Sequence, residues 1–382
     1  MIAVVADDLT GAAELGGIGL RYNLNVEVAL EVNSSTKADL LIVATDTRSG
    51  SEQDAIAEMT KVSQAVADLS PDLIFKKVDS VLRGHVLAEL NAQLDTLEQN
   101  TALLVPANPA LGRAIKNGTY YVYDKPIAET GFKDDPEFPV KSSSVVEMLK
   151  AEPSSVQVAN HQEIFEKRIV VGEASDTDDL RNWAERSSEH ILNAGAAGFF
   201  SALLEQRGVK KTDGAAAERP FGGNKLYVCG TAFVNSAIRV EALLDTGLVR
   251  YIPESFLNPD NPPQEEIESW TDELAGLISK KGAAILAVDN KLRENKPVSA
   301  KQLRERTALV VRAILEKLKL KELIIEGGST ASAIFRAVGI KTLFPSREYA
   351  PGVIRSRAAG FEDLYITLKP GSYNWPGEVW MF

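Results

Sequence analysis

The chain has 382 residues, of which 45% are hydrophobic and 25% are charged, and its formal net charge at pH 7 is -11. These proportions are typical of globular proteins and exclude a collagen-like or largely disordered chain, while the length exceeds the roughly 250 to 300 residues that one hydrophobic core supports. The negative charge disfavours nucleic acid and anionic lipid as partners, and the single Cys229 excludes an intramolecular disulfide and a cysteine-cluster metal site.

The first residues bear on where the protein resides. Met1 leads directly into a strand-like segment, without a charged leader followed by a small-residue cleavage site. The apolar runs are all much shorter than the roughly 18 residues of a membrane-spanning helix. We therefore expect a cytoplasmic protein that does not contact a membrane.

Short apolar runs alternate with helical patterns in the first two hundred residues. Residues 51–69 predict a helix that begins with Ser51 and Asp54 in the spacing of a capping box, and residues 85–97 predict a helix with a leucine stripe. The apolar runs predict strands at 2–6, 26–32, 39–45, 72–79 and 102–107. Strands that alternate with helices favour an open, largely parallel α/β sheet.

A second α/β series follows a break in the pattern. Residues 211–224 are rich in Gly, Ala and charged residues without an apolar period, which is typical of a linker. The linker predicts a first domain at 1–210 and a second at 225–382, each with a largely parallel sheet flanked by helices. In the second domain we expect strands at 225–231, 283–289 and 322–328 and helices at 233–244, 301–320 and 329–339.

Ligands of parallel α/β sheets bind at the carboxyl ends of the strands, so the polar residues there are candidates for a binding site. In the first domain they are Asp7, Asp8, Thr10 and Gly11 after the first run, Asp46, Thr47 and Arg48 after the third, Lys77 and Asp79 in the fourth, and Arg113 shortly after the fifth. Carboxylates combined with Lys and Arg suit a small hydroxy acid.

The segment FKKVDS carries the densest set of charges. The two-residue strand period places Lys77 and Asp79 on one face and Lys76 on the other, and Arg83 adds a forked guanidinium suited to a small carboxylate. An isolated Lys-x-Asp pair would be an ordinary ion pair on an edge strand. Because several acids and bases end beside one another here, we favour a functional pocket.

The adjacent Asp7 and Asp8 have three interpretations. Either residue could cap the following helix, although Thr10 could do so equally well. A phosphotransferase of the haloacid-dehalogenase type needs one residue between its two aspartates, and this pair lacks that spacing. In the third interpretation the pair holds the hydroxyls of a polyol, and one carboxylate acts as general base.

Glycine turns with hydroxyl residues recur in the second domain. Glycines let backbone amides approach a phosphate closely, and a helix N-terminus adds positive potential. Each turn alone could be an ordinary capped turn, but four in one domain favour a nucleotide site. The candidate nucleotide residues are Gly230, Thr231, Gly327, Gly328, Thr330, Gly352, Lys369 and Gly371.

Taken in chain order, several motifs resemble the four-carbon acid sugar kinase family. They are ADDLTGA, TDTRS, KKVDSVLRG, PANPALGR, NGTYYVYDKPIAETGFKDDP, GGSTA, PGV and LKPG. The resemblance implies an ATP-dependent kinase with an N-terminal sugar-acid domain, a C-terminal nucleotide domain and an active site in the cleft between them. It also implies substrate-pocket roles for Asp8, Arg48, Lys77, Asp79 and Arg83, and phosphate-binding roles for Gly327, Gly328 and Thr330.

The leading hypothesis is transfer of the ATP γ-phosphate to a hydroxyl of threonate, erythronate or a 3-oxo-tetronate, with Mg²⁺ neutralising phosphate charge. Lys77 and Arg83 would fix the carboxylate, and Asp7 or Asp8 would accept the hydroxyl proton. The alternative is a sugar-acid-binding or regulatory protein, because Ser329 stands where the family commonly has Asp. An oxidoreductase is disfavoured because no Gly-x-Gly-x-x-Gly follows the first strand. The metal ligands and the oligomeric state are left open, with a homodimer as one candidate.

Overall fold

The computed structural model describes residues 1–135, 138–212, 219–230, 234–289 and 298–382. The chain divides into two compact units, Met1–Gly214 and Ala215–Phe382, called here the first and the second unit. The linker predicted at 211–224 lies partly outside the described residues, so its boundaries stay a prediction.

The first unit contains one large sheet and one small sheet. Its strands are β1 (Ile2–Ala6), β2 (Val26–Ala29), β3 (Leu40–Ala44), β4 (Leu73–Lys77), β5 (Thr101–Val105), β6 (Arg113–Lys116), β7 (Thr119–Val122), β8 (Lys125–Pro126), β9 (Val156–Ala159), β10 (Ile169–Gly172) and β11 (Ile191–Gly195). The large sheet has the order β2-β3-β1-β4-β11-β5-β10-β9, and its neighbouring strands run parallel. The antiparallel strands β6, β7 and β8 form the small sheet.

Helices flank the large sheet of the first unit. They are α1 (Leu9–Arg21), α2 (Glu52–Ala67), α3 (Val86–Thr96), α4 (Val145–Met148), α5 (Thr177–Glu185) and α6 (Ala197–Gln206). Ser51 caps α2 by accepting a hydrogen bond from the amide of Asp54 at 3.1 Å, as the sequence predicts. Strand β3 is buried along its whole length, which is why it reads as a continuous apolar run.

The second unit has its own mainly parallel sheet. Its strands are β12 (Lys225–Cys229), β13 (Val249–Tyr251), β14 (Ala283–Ala287), β15 (Glu322–Glu326), β16 (Thr342–Ala350), β17 (Val353–Ala358) and β18 (Tyr365–Lys369), and its helices are α7 (Val234–Glu241), α8 (Gln264–Lys281), α9 (Ala300–Lys317) and α10 (Gly328–Val338). The strand order is β13-β14-β12-β15-β18-β17-β16, with β17 antiparallel to both of its neighbours.

The α/β fold class is confirmed, since each unit has a mainly parallel sheet flanked by helices. The parallel order brings the carboxyl ends of β1, β3 and β4 to one edge of the first sheet, and those of β12, β15 and β18 to one edge of the second. Both edges carry candidate site residues. Within the described ranges, the helices are too short or too polar to cross a membrane.

Candidate functional site

The guanidinium of Arg48 joins three carboxylates at the carboxyl edge of the first sheet. Its Nε donates to Asp7 Oδ2 at 2.7 Å, and its Nη2 donates to Asp7 Oδ1 at 2.9 Å and to Asp8 Oδ1 at 2.8 Å. Its Nη1 lies 3.8 Å from Asp79 Oδ1. We call Arg48 with Asp7, Asp8 and Asp79 the carboxylate cluster. The strand-end residues after β1, β3 and β4 therefore meet, as the parallel topology predicts.

The backbone places the Arg48 side chain. The turn after β3 includes Asp46 at a φ of +55°, and the amides of Thr47 and Arg48 both donate to the backbone carbonyl of Asp7, at 3.1 and 3.3 Å. Gly84 packs against this turn, because a Cβ at Gly84 would lie 3.0 Å from Arg48 Cγ. The position of the guanidinium is thus fixed by the turn, by its carboxylates and by a close glycine.

Asp8 also caps the helix that follows it. Its Oδ1 accepts a hydrogen bond from the amide of Gly11 at 2.9 Å, and its Oδ2 accepts one from the Thr10 hydroxyl. The capping interpretation therefore holds for Asp8. Among the described residues, Asp7 caps no helix end, and its carboxylate faces Arg48.

The three carboxylates of the cluster have different pKa values. Burial raises the pKa of Asp7, and Arg48 offsets this only in part. Burial also acts on Asp8 and Asp79, but neighbouring positive charges reverse its effect. Arg48 and Lys77 lower the pKa of Asp8, whereas Arg83 and Arg48 lower that of Asp79. Proton affinity is thus greatest at Asp7 within the cluster.

Arg83 lies between two carboxylates. Its Nε and Nη2 donate to the two oxygens of Asp79 at 2.8 and 2.9 Å, and its Nη1 donates to Asp135 Oδ2 at 2.8 Å. Both acids raise the pKa of the Arg83 guanidinium against the effect of burial. The segment that follows the small sheet brings Asp135 here, and the sequence analysis did not assign it to the site.

Lys77 and Lys76 point to opposite sides of β4, as the strand period predicts. Lys77 Nζ lies 3.6 Å from Glu14 Oε2 and donates to the carbonyl of Val78 at 2.9 Å. Lys76 is fully buried and pairs with Glu89 on α3 at 2.7 Å. Of the predicted pocket residues, Asp79 is thus part of the carboxylate cluster, and the positive charge of Lys77 acts on its member Asp8.

Glycine turns gather at the carboxyl edge of the second sheet. Gly230 follows β12, and a Cβ there would lie 2.7 Å from Thr330 Oγ1 in the first turn of α10. Gly352, at a φ of +77°, lies in the β16-β17 turn, where a Cβ would come within 2.7 Å of the Tyr373 ring. Thr231 lies outside the described residues. The other candidate nucleotide residues share one edge.

Helix α10 begins at that edge without a side-chain cap in the described part of the chain. Gly327, at a φ of +96°, precedes it and donates its amide to the Lys369 carbonyl at 2.9 Å. The amides of Gly328, Ser329 and Thr330 stand in the first turn, where a helix offers no internal acceptors. This helix start is suited to a phosphate.

The ammonium of Lys369 is bound within the protein. Its buried ammonium pairs with Glu326 Oε1 at 2.7 Å and donates to the carbonyls of Pro370 at 2.9 Å and Tyr373 at 2.6 Å. Burial lowers the pKa of Lys369 although Glu326 opposes this. Gly371 lies in the loop that the ammonium closes, with its carbonyl at 3.4 Å. Lys369 therefore orders this loop, and its contact with an anion stays a prediction.

The described residues contain no group of three or more His, Cys, Asp or Glu side chains arranged to hold a metal ion. The carboxylates of the cluster already bind arginine, and Glu326 already binds Lys369. A protein cage for Mg²⁺ therefore does not fit these side chains.

Both units match described families. Residues 2–203 match a sugar-binding N-terminal domain, and residues 226–373 match a nucleotide-binding C-terminal domain. The chain therefore belongs to the family that combines these two domains, and the four-carbon acid sugar kinase family named from the motifs is confirmed.

Relatives share this architecture along nearly their whole length. A D-threonate kinase of Salmonella typhimurium is 24% identical, and the match covers 97% of this chain and 95% of the relative. A 3-oxo-tetronate kinase of Pseudomonas savastanoi pv. phaseolicola is 23% identical, with 98% and 94% covered. The crystal structure of a Haemophilus influenzae protein is 21% identical, covers 97% of each chain and has a TM-score of 0.71. That likeness shows the fold.

Proposed function

We propose that this chain is an ATP-dependent kinase that phosphorylates a hydroxyl of a four-carbon sugar acid of the threonate, erythronate or 3-oxo-tetronate type. The observation that carries the proposal is the carboxylate cluster, in which Arg48 orders carboxylates from two strand ends of a sugar-binding unit. The full-length relatives named as kinases of such acids support the substrate class.

In this proposal the first unit binds the acid. Asp79 with Arg83, and Lys77, whose charge acts on Asp8, provide charged groups for the hydroxyls and the carboxylate of a small acid. Asp8 holds Arg48 and the start of α1, so that it shapes the pocket.

Asp7 is the general base in this proposal. Each of its oxygens accepts one N–H from Arg48 within the described residues, whereas Asp8 Oδ1 accepts two N–H groups, so Asp7 keeps more acceptor capacity. Its raised pKa also suits a base, because proton transfer is most efficient when the pKa lies nearer the working pH. The substrate hydroxyl gives its proton to Asp7 and its oxygen bonds to the γ-phosphorus. The bond from that phosphorus to the bridging oxygen breaks, and ADP leaves.

The second unit binds ATP in this proposal. The amides of Gly328, Ser329 and Thr330 face the phosphates, and Gly230 packs closely on Thr330 without a side chain that would crowd this helix start. Gly327 and Gly352 form the turns at the same edge. Mg²⁺ usually keeps several waters and binds largely through substrate phosphates, and it would neutralise phosphate charge here.

A screen of ADP release tests the function. Wild-type protein with ATP and Mg²⁺ is offered D-threonate, D-erythronate and 3-oxo-tetronates, and we expect at least one of these acids to stimulate ADP release. Calorimetry with the same acids runs in parallel. Binding of an acid without ADP release would favour the alternative, a sugar-acid-binding or regulatory protein in which Ser329 marks lost phosphoryl transfer.

A further inference from the structure

The buried cations near the carboxylate cluster differ in their partners. Arg48 binds Asp7 and Asp8, Arg83 binds Asp79 and Asp135, and Lys77 lies 3.6 Å from Glu14. Each of these three cations therefore has a carboxylate of the protein within 4 Å. Their charges are compensated before any substrate binds.

A fourth buried cation, Arg113, differs from these three. Arg113 is the first residue of β6 and is 9% exposed. Its Nη1 donates to the Ser80 hydroxyl, and its guanidinium lies 5.7 Å from the centre of the Phe132 ring. Within the described ranges, no carboxylate lies within ion-pair distance of Arg113. The guanidinium thus contacts a neutral hydroxyl and an aromatic face.

The guanidinium of Arg113 nevertheless belongs to the same pocket. Its partner Ser80 follows Asp79 directly in the chain, and the Phe132 ring that it contacts also receives Arg83 at 6.0 Å. The charge of Arg113 contributes to the lowered pKa of Asp79. Arg113 therefore lies beside Arg83, where the small sheet begins.

Asp79 acts on Arg113 only from beyond ion-pair distance, so the charge of this buried guanidinium is compensated in part, because a close paired charge is what offsets the removal of an ion from water. A guanidinium has five N–H donors in a planar fork that matches a carboxylate, and Ser80 occupies one of them. The chemistry that completes Arg113 is thus a small carboxylate.

We infer that Arg113 binds the carboxylate of the sugar acid and so makes the pocket specific for acids over neutral polyols. This inference rests on the proposed function. It changes the part expected of Arg83, whose three donating nitrogens already bind Asp79 and Asp135. Arg83 is then chiefly a positioning residue, which binds Asp79 and lies over the Phe132 ring.

Calorimetric titration with D-threonate and D-erythronate, with a non-hydrolysable ATP analogue titrated separately, tests the inference. We expect Arg113→Gln to weaken binding of the acid about 10- to 100-fold, since a charge-assisted bidentate contact is lost, and to leave binding of the analogue unchanged. Arg113→Lys keeps the charge but loses the planar guanidinium, so its acid affinity should lie between those of wild type and Arg113→Gln. Arg186→Gln is the matched control, because Arg186 also lies over an aromatic ring, at 4.4 Å from Phe165, and bonds backbone carbonyls.

The outcomes separate the two proposals. Acid affinity of Arg113→Gln within twofold of wild type would overturn the inference. If Arg113→Gln does not fold, as judged by its thermal unfolding, wild-type acid affinity in Arg113→Lys would overturn it instead. Failure of the wild-type protein to bind any of the three kinds of acid, 3-oxo-tetronates included, would overturn the proposed function, and the inference with it.

Discussion

Asp7 and Asp8 are neighbours in the chain but differ in their surroundings. Asp8 caps α1 and has a lowered pKa. Asp7 has a raised pKa, and among the described side chains only Arg48 forms hydrogen bonds with it. Two adjacent carboxylates can thus have one structural and one chemical role. The carboxylate with the higher proton affinity is the one assigned as base.

Asparagine substitutions separate these two roles. Asp7→Asn removes the proton acceptor while keeping a similar shape, so we expect kcat to fall by about 10²-fold or more with little change in acid affinity. Asp8→Asn is the matched control, because asparagine caps helices as well as aspartate does, and its kcat should fall less. Steady-state kinetics and acid titrations measure both effects. Near-wild-type kcat in Asp7→Asn would exclude it as the base.

The lowered pKa of Asp79 predicts a pH dependence of stability. A carboxyl group whose pKa is lower in the folded protein stabilises the fold above its ordinary value of 3.8, and this contribution is lost as pH falls below that value. We therefore expect wild type to exceed Asp79→Asn in free energy of unfolding at pH 7, and the difference to shrink by up to about 1.4 kcal/mol per pH unit below 3.8.

Urea unfolding of both proteins at several pH values checks this expectation. Asp8 also has a lowered pKa, but it is present in both proteins and cancels in the difference. A difference that stayed constant between pH 7 and the acid range would show that the Arg83 and Arg48 contacts do not favour ionised Asp79.

At the scale of elements, the contact between Gly230 and Thr330 joins the end of β12 to the start of α10. A Cβ at Gly230 would lie 2.7 Å from Thr330 Oγ1 and 3.4 Å from its Cβ. Gly230→Ala should therefore displace the first turn of α10 and weaken binding of an ATP analogue about tenfold, the equivalent of roughly 1.4 kcal/mol. In a Thr330→Ala background the clash is absent, and the same change should have little effect.

Titration of the four proteins in this cycle with an ATP analogue gives the coupling between the two positions. Gly276→Ala in α8 is the control, because nothing lies within 4 Å of a Cβ there and alanine favours a helix interior. Its nucleotide affinity should equal that of wild type. Equal losses from Gly230→Ala in both backgrounds would contradict the role of this contact in the nucleotide site.

The elements predicted from sequence are those whose burial matches a simple pattern. β1, β3 and β14 are buried on both faces and read as continuous apolar runs. The small sheet formed by β6, β7 and β8 was not predicted, because its strands are short and carry exposed charged residues such as Lys116 and Lys125. That sheet brings Arg113 and the segment with Asp135 to the pocket. Arg113 was among the residues predicted from strand ends, whereas Asp135 was not.

The case of Lys369 shows a second limit. Its glycine-rich surroundings favoured an anion contact, but β15 and β18 are neighbours in a register that sets Glu326 opposite Lys369. Strand order and register depend on packing between distant segments and cannot be read from a local motif. Buried pairs such as Lys76 with Glu89 arise in the same way.

At the scale of the whole molecule, the chain joins a unit that orders carboxylates and arginines to a unit with a helix start among glycine turns, which no described side chain caps. The two units match the sugar-binding and the nucleotide-binding domain of the family. The cytoplasmic location and the homodimer stay predictions. The function depends on whether a phosphoryl group passes from the ligand of one unit to the ligand of the other.

Transfer of the phosphoryl group is measured by incubating the protein with ATP that carries labelled phosphorus in the γ-position, with Mg²⁺ and D-threonate or D-erythronate. Separation of the products then locates the label. We expect labelled phospho-acid to form with the wild-type protein and to be at least about 10²-fold less with Asp7→Asn. Label that remains in ATP or appears only as inorganic phosphate, under conditions where calorimetry shows the acid bound, would contradict the assignment of this chain as a sugar acid kinase.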